Sequence, residues 1–366
     1  MSTGDGKDIY REMVTTVRQR LTALPVSSPL RLAFPASILD DAARRIEQAK
    51  AADLEYGPWA PPFSVLSEIP EAAVAELDED LILVLGNAKS NKVKDVAQFL
   101  GTPAGRKVAE WYGGLFDLWA RARALKAGCE VEFDAPLPNG RDSDMRLALL
   151  GRHVRVENTV IGESEDDRES FQSFLVAKKQ DPAVLWHRPG KFDPLGPKVP
   201  GLYHNSLRLY AKVYEKIAKK LDADKSQCAA DEPNILLVSF AGAFVHPGEP
   251  GWGWALDELF DNQPSMGRRI LPPPHLTDIS LDAWVMFTAK DLFRRGVISA
   301  KQYDARIDDY HRVISAPRRV GGMLIFKNCT LATARINYNA TNESSITHAE
   351  MAELERIFTS TCGYAV

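Results

Sequence analysis

From Asp144 to Val160, apolar and polar residues alternate on both sides of Gly151-Arg152. Strict alternation signals a half-buried strand, and two such runs around a short loop predict an antiparallel hairpin. A two-residue loop that begins with Gly suits a type II′ turn. A loop at Gly151-Arg152 sets Leu150 opposite His153, Leu147 opposite Val156, Arg146 opposite Glu157 and Asp144 opposite Thr159. Met145, Leu147, Leu149, Val154, Val156 and Val160 then share one face, which must be the core, and Asp144, Arg146, Arg155, Glu157 and Thr159 share the other. On that polar face Asp144 and Glu157 become diagonal neighbours within joint reach of one hard cation. By itself such a face is the ordinary solvated side of a hairpin.

The same patterning places the other elements. Asp8 to Leu24 reads as an amphipathic helix with Ile9, Met13, Val17 and Leu21 on one stripe, stopped by Pro25. A second helix is expected from Ser37 to Ala52, and Tyr56 to Pro70, rich in Pro and aromatics, reads as an ordered loop. Leu81 to Leu85 is a short apolar run, either a strand or a helix end. A long helix is expected from Pro103 to Lys126, with Trp111, Leu115, Leu118, Trp119, Ala122 and Leu125 buried and Gly128 as its stop. Asp117 lies inside it, either on the solvent edge or pointed into a site. Cys129 to Pro136 is an expected strand, followed by a turn at Pro138-Asn139-Gly140.

Beyond the hairpin, an acidic run after Gly162 opens a helix to about Lys178, and Trp186 to Val199 is a Pro/Gly loop. His204 to Leu221 predicts a helix with Leu209, Val213, Ile217 and Leu221 on one stripe and Arg208, Lys212, Lys216 and Lys219 on another. That basic stripe suits a phosphate-tracking surface or a solvated face equally. Ile235 to Phe240 is a buried strand, and strand-helix-strand order favours a parallel crossover. Ala241 to His275 is a long loop; helices follow at 281–295 and 299–314, strands at 323–327 and 333–338. Thr347 and Glu350 form a capping box that opens a last helix to about Phe358.

Composition narrows the function classes. With 366 residues, 45% of them hydrophobic and 26% charged, the chain can bury a substantial core. A net charge of −4 gives no global nucleic-acid signal, so any polyanion site must be a local basic patch. No apolar run is long enough for a bilayer, and the N-terminus lacks the apolar core of a signal peptide, so a cytosolic, non-membrane protein is expected. Four scattered cysteines without a CxxC pair read as reduced thiols. The seven histidines include no HxH or HExxH, and no P-loop, GxGxxG or GxSxG is present.

The order of a helix with Asp117, a strand from Cys129, strands with Asp144 and Glu157, a basic helix and a strand from Ile235 resembles the PD-(D/E)XK nuclease superfamily, over roughly Pro103 to Phe240. SDMRLALLGRHVRVENT supplies the motif acids as Asp144 and Glu157-Asn158-Thr159. The resemblance implies an α/β fold with a restriction-endonuclease-like αβββαβ core and mixed sheet. To this are added an N-terminal mostly helical region at 1–102, a C-terminal α+β extension, and insertions at 241–276 and 281–315 within 103–366. It implies a Mg²⁺- or Mn²⁺-dependent phosphodiesterase acting on nucleic acid, DNA foremost, with a homodimer also open. Asp144, Glu157 and the main-chain carbonyl of Asn158 would hold the metal, with Asp117 assisting. Ser143 stands where the motif has Pro, and Thr159 stands where it has Lys. Lys212 or Lys216 would then supply the cation, and Arg155, Arg208 and Lys219 would contact phosphates. The alternative is a decayed nuclease fold that binds nucleic acid or a protein.

Overall fold

The computed structural model of the protein describes residues 7–48, 61–87, 96–100, 108–161, 227–240, 316–327, 329–359 and 363–364, with a few single positions between 294 and 304. The helices before the sheet are α1 (Lys7–Ala23), α2 (Pro29–Ala33), α3 (Ala36–Gln48), α4 (Pro61–Glu68), α5 (Glu71–Asn87), α6 (Ala97–Leu100) and α7 (Val108–Lys126). Strands β1 (Val131–Pro136), β2 (Asp142–Leu149), β3 (Arg152–Ile161), β4 (Asn234–Phe240), β5 (Val320–Lys327) and β6 (Thr330–Ile336) follow, and then α8 (His348–Phe358). The protein is thus mixed α/β, and the strands form one six-stranded sheet in sequence order. The β1/β2, β2/β3 and β5/β6 pairs are antiparallel, while β3/β4 and β4/β5 are parallel. The parallel pairing of β3 and β4 is the one that the strand-helix-strand order favours.

The hairpin keeps its expected faces but not its expected register. Leu149 pairs with Arg152, Leu147 with Val154 and Met145 with Val156, so the loop is Leu150-Gly151. Both loop residues have positive φ, +47° and +90°, which is the type I′ turn rather than type II′. The slip from the expected pairing is two residues, and a slip by an even number leaves every side chain on its face. Met145, Leu147, Leu149, Val154 and Val156 are therefore buried as expected. The register also brings Asp144 one step beyond Met145↔Val156, directly across from Glu157 rather than diagonal to it.

Helix α7 lies across the core face of the sheet. Trp119 stacks with Phe116 at 5.4 Å and meets Phe326 of β5 edge-on at 5.2 Å and Phe358 of α8 at 6.1 Å. Each such fully buried aromatic contributes about 1.5–3 kcal/mol through the water it sheds. The helix ends in a Schellman motif: Gly128, at φ +77°, donates to Leu125 O, and Cys129 donates to Ala124 O. Helix α8 opens with the expected capping box, Thr347 accepting from Glu350 N and Glu350 from Thr347 N.

The N-terminal helices depart from expectation in two places. The buried stripe of α1 is Val14, Val17 and Leu21, with Ile9 69% exposed. The segment read as a loop at 56–70 contains α4, whose Pro61 and Pro62 occupy the first turn, where the missing N–H groups have no intrahelical partner to lose. Of the two readings open for Leu81 to Leu85, the helix end holds: it closes the 17-residue α5, whose Ala73, Val74, Leu77, Leu81 and Val84 recur at helical spacing and are buried. One hydrophobic cluster runs from Val14 of α1 through α7 and the sheet to Tyr364, across the 102/103 boundary. The expected helices at 162–178 and 204–221, the loop at 241–275 and most of 281–315 lie outside the described residues.

Candidate functional site

Strands β2 and β3 stop pairing just past Met145↔Val156, and the two motif acids stand at that fork. Asp144 replaces the next ladder bond with its side chain: its Oδ2 accepts the Asn158 backbone N–H at 2.6 Å. The N–H and C=O of one strand residue point the same way, so the Asn158 carbonyl also faces β2. The neighbouring Arg155 N–H points the other way, to Pro233 O at 2.7 Å. Glu157, one residue before Asn158, is 1% exposed on the sheet face away from α7.

That face is not solvated. Arg155 and Thr159 are also buried, beside Leu236 and Val238 of β4. Arg155 is held by protein acceptors on two of its nitrogens: Nε donates to Glu232 Oε2 at 2.6 Å, and Nη1 to Ala135 O, Pro136 O and Ser143 Oγ at 3.0–3.1 Å. Thr159 has a buried Oγ1 with no hydrogen-bond partner among the described residues.

On the α7 side, Asn158 reaches the helix. Its Nδ2 donates to Asp117 Oδ1 at 2.7 Å, while Arg121 Nε donates to Asp117 Oδ2 at 3.0 Å. Arg121 is 1% exposed and also pairs with Asp134, Nη2 to Oδ1 at 3.0 Å. Its guanidinium lies 5.0 Å from the centre of the Phe133 ring and 5.7 Å from that of Phe99, close enough for cation–π attraction. Asp134 holds a left-handed backbone, φ +47°, within β1. Burial is the largest influence on the Asp117 carboxyl and lifts it above its ordinary 3.8; Arg121 pulls it back, and Asp144 pushes it up again. Arg121, Asp134 and Glu232 were not singled out in the sequence; the Asp117/Arg121 spacing of four on one helix was the available signal.

Asp134, Arg141, Asp142, Ser143, Asp144 and Gln227 contribute to a polar cleft of about 280 Å³ beside the fork. Among the described residues no group of three or more His, Cys, Asp and Glu side chains could hold a metal ion. What the fork offers is two carboxylates and a main-chain carbonyl, hard oxygen donors of the kind Mg²⁺ takes along with its waters. Lys212, Lys216, Arg208 and Lys219 lie outside the described residues.

Compared with protein-family models, with curated proteins and with solved structures, the chain finds no match. Among the described residues no helix is long and apolar enough to cross a membrane.

Proposed function

We propose that the protein is a metal-dependent phosphodiesterase acting on nucleic acid, DNA foremost, with a restriction-endonuclease-like core. The observation that carries this reading is the fork itself. Asp144 is bonded to the Asn158 peptide and stands across from Glu157, beside a polar cleft, in a mixed sheet whose third and fourth strands run parallel. Asp144, Glu157 and the Asn158 carbonyl would hold Mg²⁺ or Mn²⁺. When bound, such an ion makes a water acidic enough to attack and offsets the charge gathering on phosphorus. Burial of Glu157 keeps bulk water from competing for its oxygens. Arg141, exposed at the rim of the cleft, suits a phosphate flanking the scissile bond. Lys212 or Lys216 is proposed to supply the cation that Thr159 lacks, with Arg208 and Lys219 along the phosphates.

The test is a calorimetric titration with Mn²⁺, followed by cleavage of duplex DNA, using wild type, Asp144→Asn and Glu157→Gln. Wild type binds the ion and cleaves, and each variant loses both while keeping its fold. Cleavage retained in both variants would overturn the reading.

A second reading, a nuclease-like fold that binds without cutting, is favoured by Thr159 in the Lys position, where a neutral hydroxyl cannot supply the positive charge. Binding of duplex DNA without cleavage, weakening steeply with salt as counterion release requires, would select it.

A further inference from the structure

The Asn158 side chain does something that neither carboxylate needs for holding a cation: it ties the fork to α7. We infer that Asn158 is a positioning residue for the Asp144–Glu157 pair, and that Asp117 is its anchor on the helix rather than a metal ligand. The inference rests on the metal-dependent reading above.

The chain of contacts is continuous. Asp134 fixes Arg121, Arg121 Nε holds Asp117 Oδ2 at 3.0 Å, Asp117 Oδ1 holds the Asn158 amide at 2.7 Å, and the Asn158 N–H holds Asp144 Oδ2 at 2.6 Å. Both Asp117 oxygens therefore already accept strong donors, one of them charge-assisted. A divalent ion at Oδ2 would compete with a guanidinium that is itself 1% exposed, where weakening the pairing of a buried charge is costly, and one at Oδ1 would compete with the Asn158 amide. Asn158, by contrast, sits where both acids are set. Its N–H fixes the Asp144 carboxylate, and the peptide bearing that N–H belongs to Glu157. Anchoring the Asn158 side chain thus fixes the separation of the two acids, and metal sites are sensitive to such outer partners and to shifts of about 0.5 Å.

A tether that only held β3 to α7 would change stability and leave metal affinity alone. The experiment therefore reads affinity on the full-length protein, with folding checked by circular dichroism. Mn²⁺ is titrated into wild type, Asn158→Ala, Asn158→Ser, Asp117→Asn, the Asp117→Ala/Asn158→Ala pair and Glu157→Gln, and kcat and KM for duplex DNA are measured on the same samples. Asn158→Ala weakens Mn²⁺ about 10-fold or more and lowers kcat more than it raises KM. Asp117→Asn keeps an oxygen acceptor for the Asn158 amide and stays within about threefold of wild type, a small part of the range lost with outer partners. The double variant is no weaker than Asn158→Ala alone, because one contact cannot be lost twice. Asn158→Ser serves if the Ala variant does not fold. Wild-type affinity in both Asn158 variants, with binding lost in Glu157→Gln, overturns the inference and leaves the metal reading intact. Loss in Asp117→Asn as complete as in Glu157→Gln makes Asp117 a ligand and also overturns it. A wild type that binds no Mn²⁺, with or without DNA, removes the reading and the inference together.

Discussion

Arg146 and Arg155 stand directly opposite each other on β2 and β3, and Glu232 bridges the two guanidinium groups. Like charges across a strand pair repel, and Arg155 is buried, so the arrangement leans on the carboxylate bonded to both. Glu232→Gln removes the charge and keeps the shape. It is expected to cost about 2–3 kcal/mol, below the value for a fully buried pair because Arg146 retains some solvent. A shift in the urea midpoint with unchanged slope measures it. Replacing Arg146 as well, with Met, should restore part of the loss by removing the repulsion.

The same carboxylate gives stability a sign with pH. Burial alone would raise the Glu232 carboxyl, but hydrogen bonds from Arg146 and Arg155 outweigh it and hold it below its ordinary 4.5. Glu350 is held below 4.5 in the same way, burial again opposing and Arg152 and Thr347 prevailing. A carboxyl depressed by folding contributes stability above its unfolded value and loses it as pH falls through the folded one. Unfolding free energy should therefore fall as pH drops below about 4.5, and Glu232→Gln should flatten that slope. Denaturant titrations at a series of pH values between 3 and 6 would show no difference in slope if the pairing is idle.

Two adjacent glycines of α7 should respond with opposite signs. A Cβ on Gly113 meets nothing within 4 Å, so Gly113→Ala should stabilise by about 0.5–1 kcal/mol through helix propensity. A Cβ on Gly114 would lie 1.8 Å from Phe99 O, a backbone atom of α6. Gly114→Ala must therefore push α6 off α7 and should destabilise by about 1–3 kcal/mol. Thermal unfolding of the two single variants checks both.

Leu150 holds a left-handed conformation, φ +47°, with its side chain 63% exposed. The strain is unrewarded by packing. Leu150→Asn converts the turn to Asn-Gly, the pair that type I′ favours, and should stabilise by about 1 kcal/mol. An unchanged or lowered melting temperature would contradict the assigned turn.

Tyr364 is fully buried near the end of the chain, its hydroxyl donating to Asp80 Oδ2 of α5 at 2.7 Å. Asp80 is itself fully buried, with Lys126 Nζ of α7 2.5 Å away. Tyr364→Phe leaves that carboxylate one donor short and should cost about 1–3 kcal/mol. Chemical denaturation measures the loss.

Much of this protein was decided by local pattern. Alternation around Gly151 assigned both hairpin faces, and the apolar run Ile235–Val238, closed by Ser239-Phe240, marked a strand buried on both sides. Thr347 with Glu350, and Gly128 after Lys126, marked a helix start and a helix stop. Each depends on residues within one turn or one strand, where side-chain period and backbone φ preference act directly. The register was not of that kind. Leu is a poor residue for φ +47°, so nothing local marked Leu150 as the first loop position; the pairing summed over β2 and β3 imposed it. The side-chain network was tertiary as well. Arg121 owes its burial to Asp117, one turn away, and to Asp134 of β1. Arg155 owes its burial in part to Glu232, 77 residues further on, which also pairs with the half-buried Arg146. Charges enter a core only when the fold brings partners to them, because the desolvation of each is met by a contact whose other half lies elsewhere in the sequence.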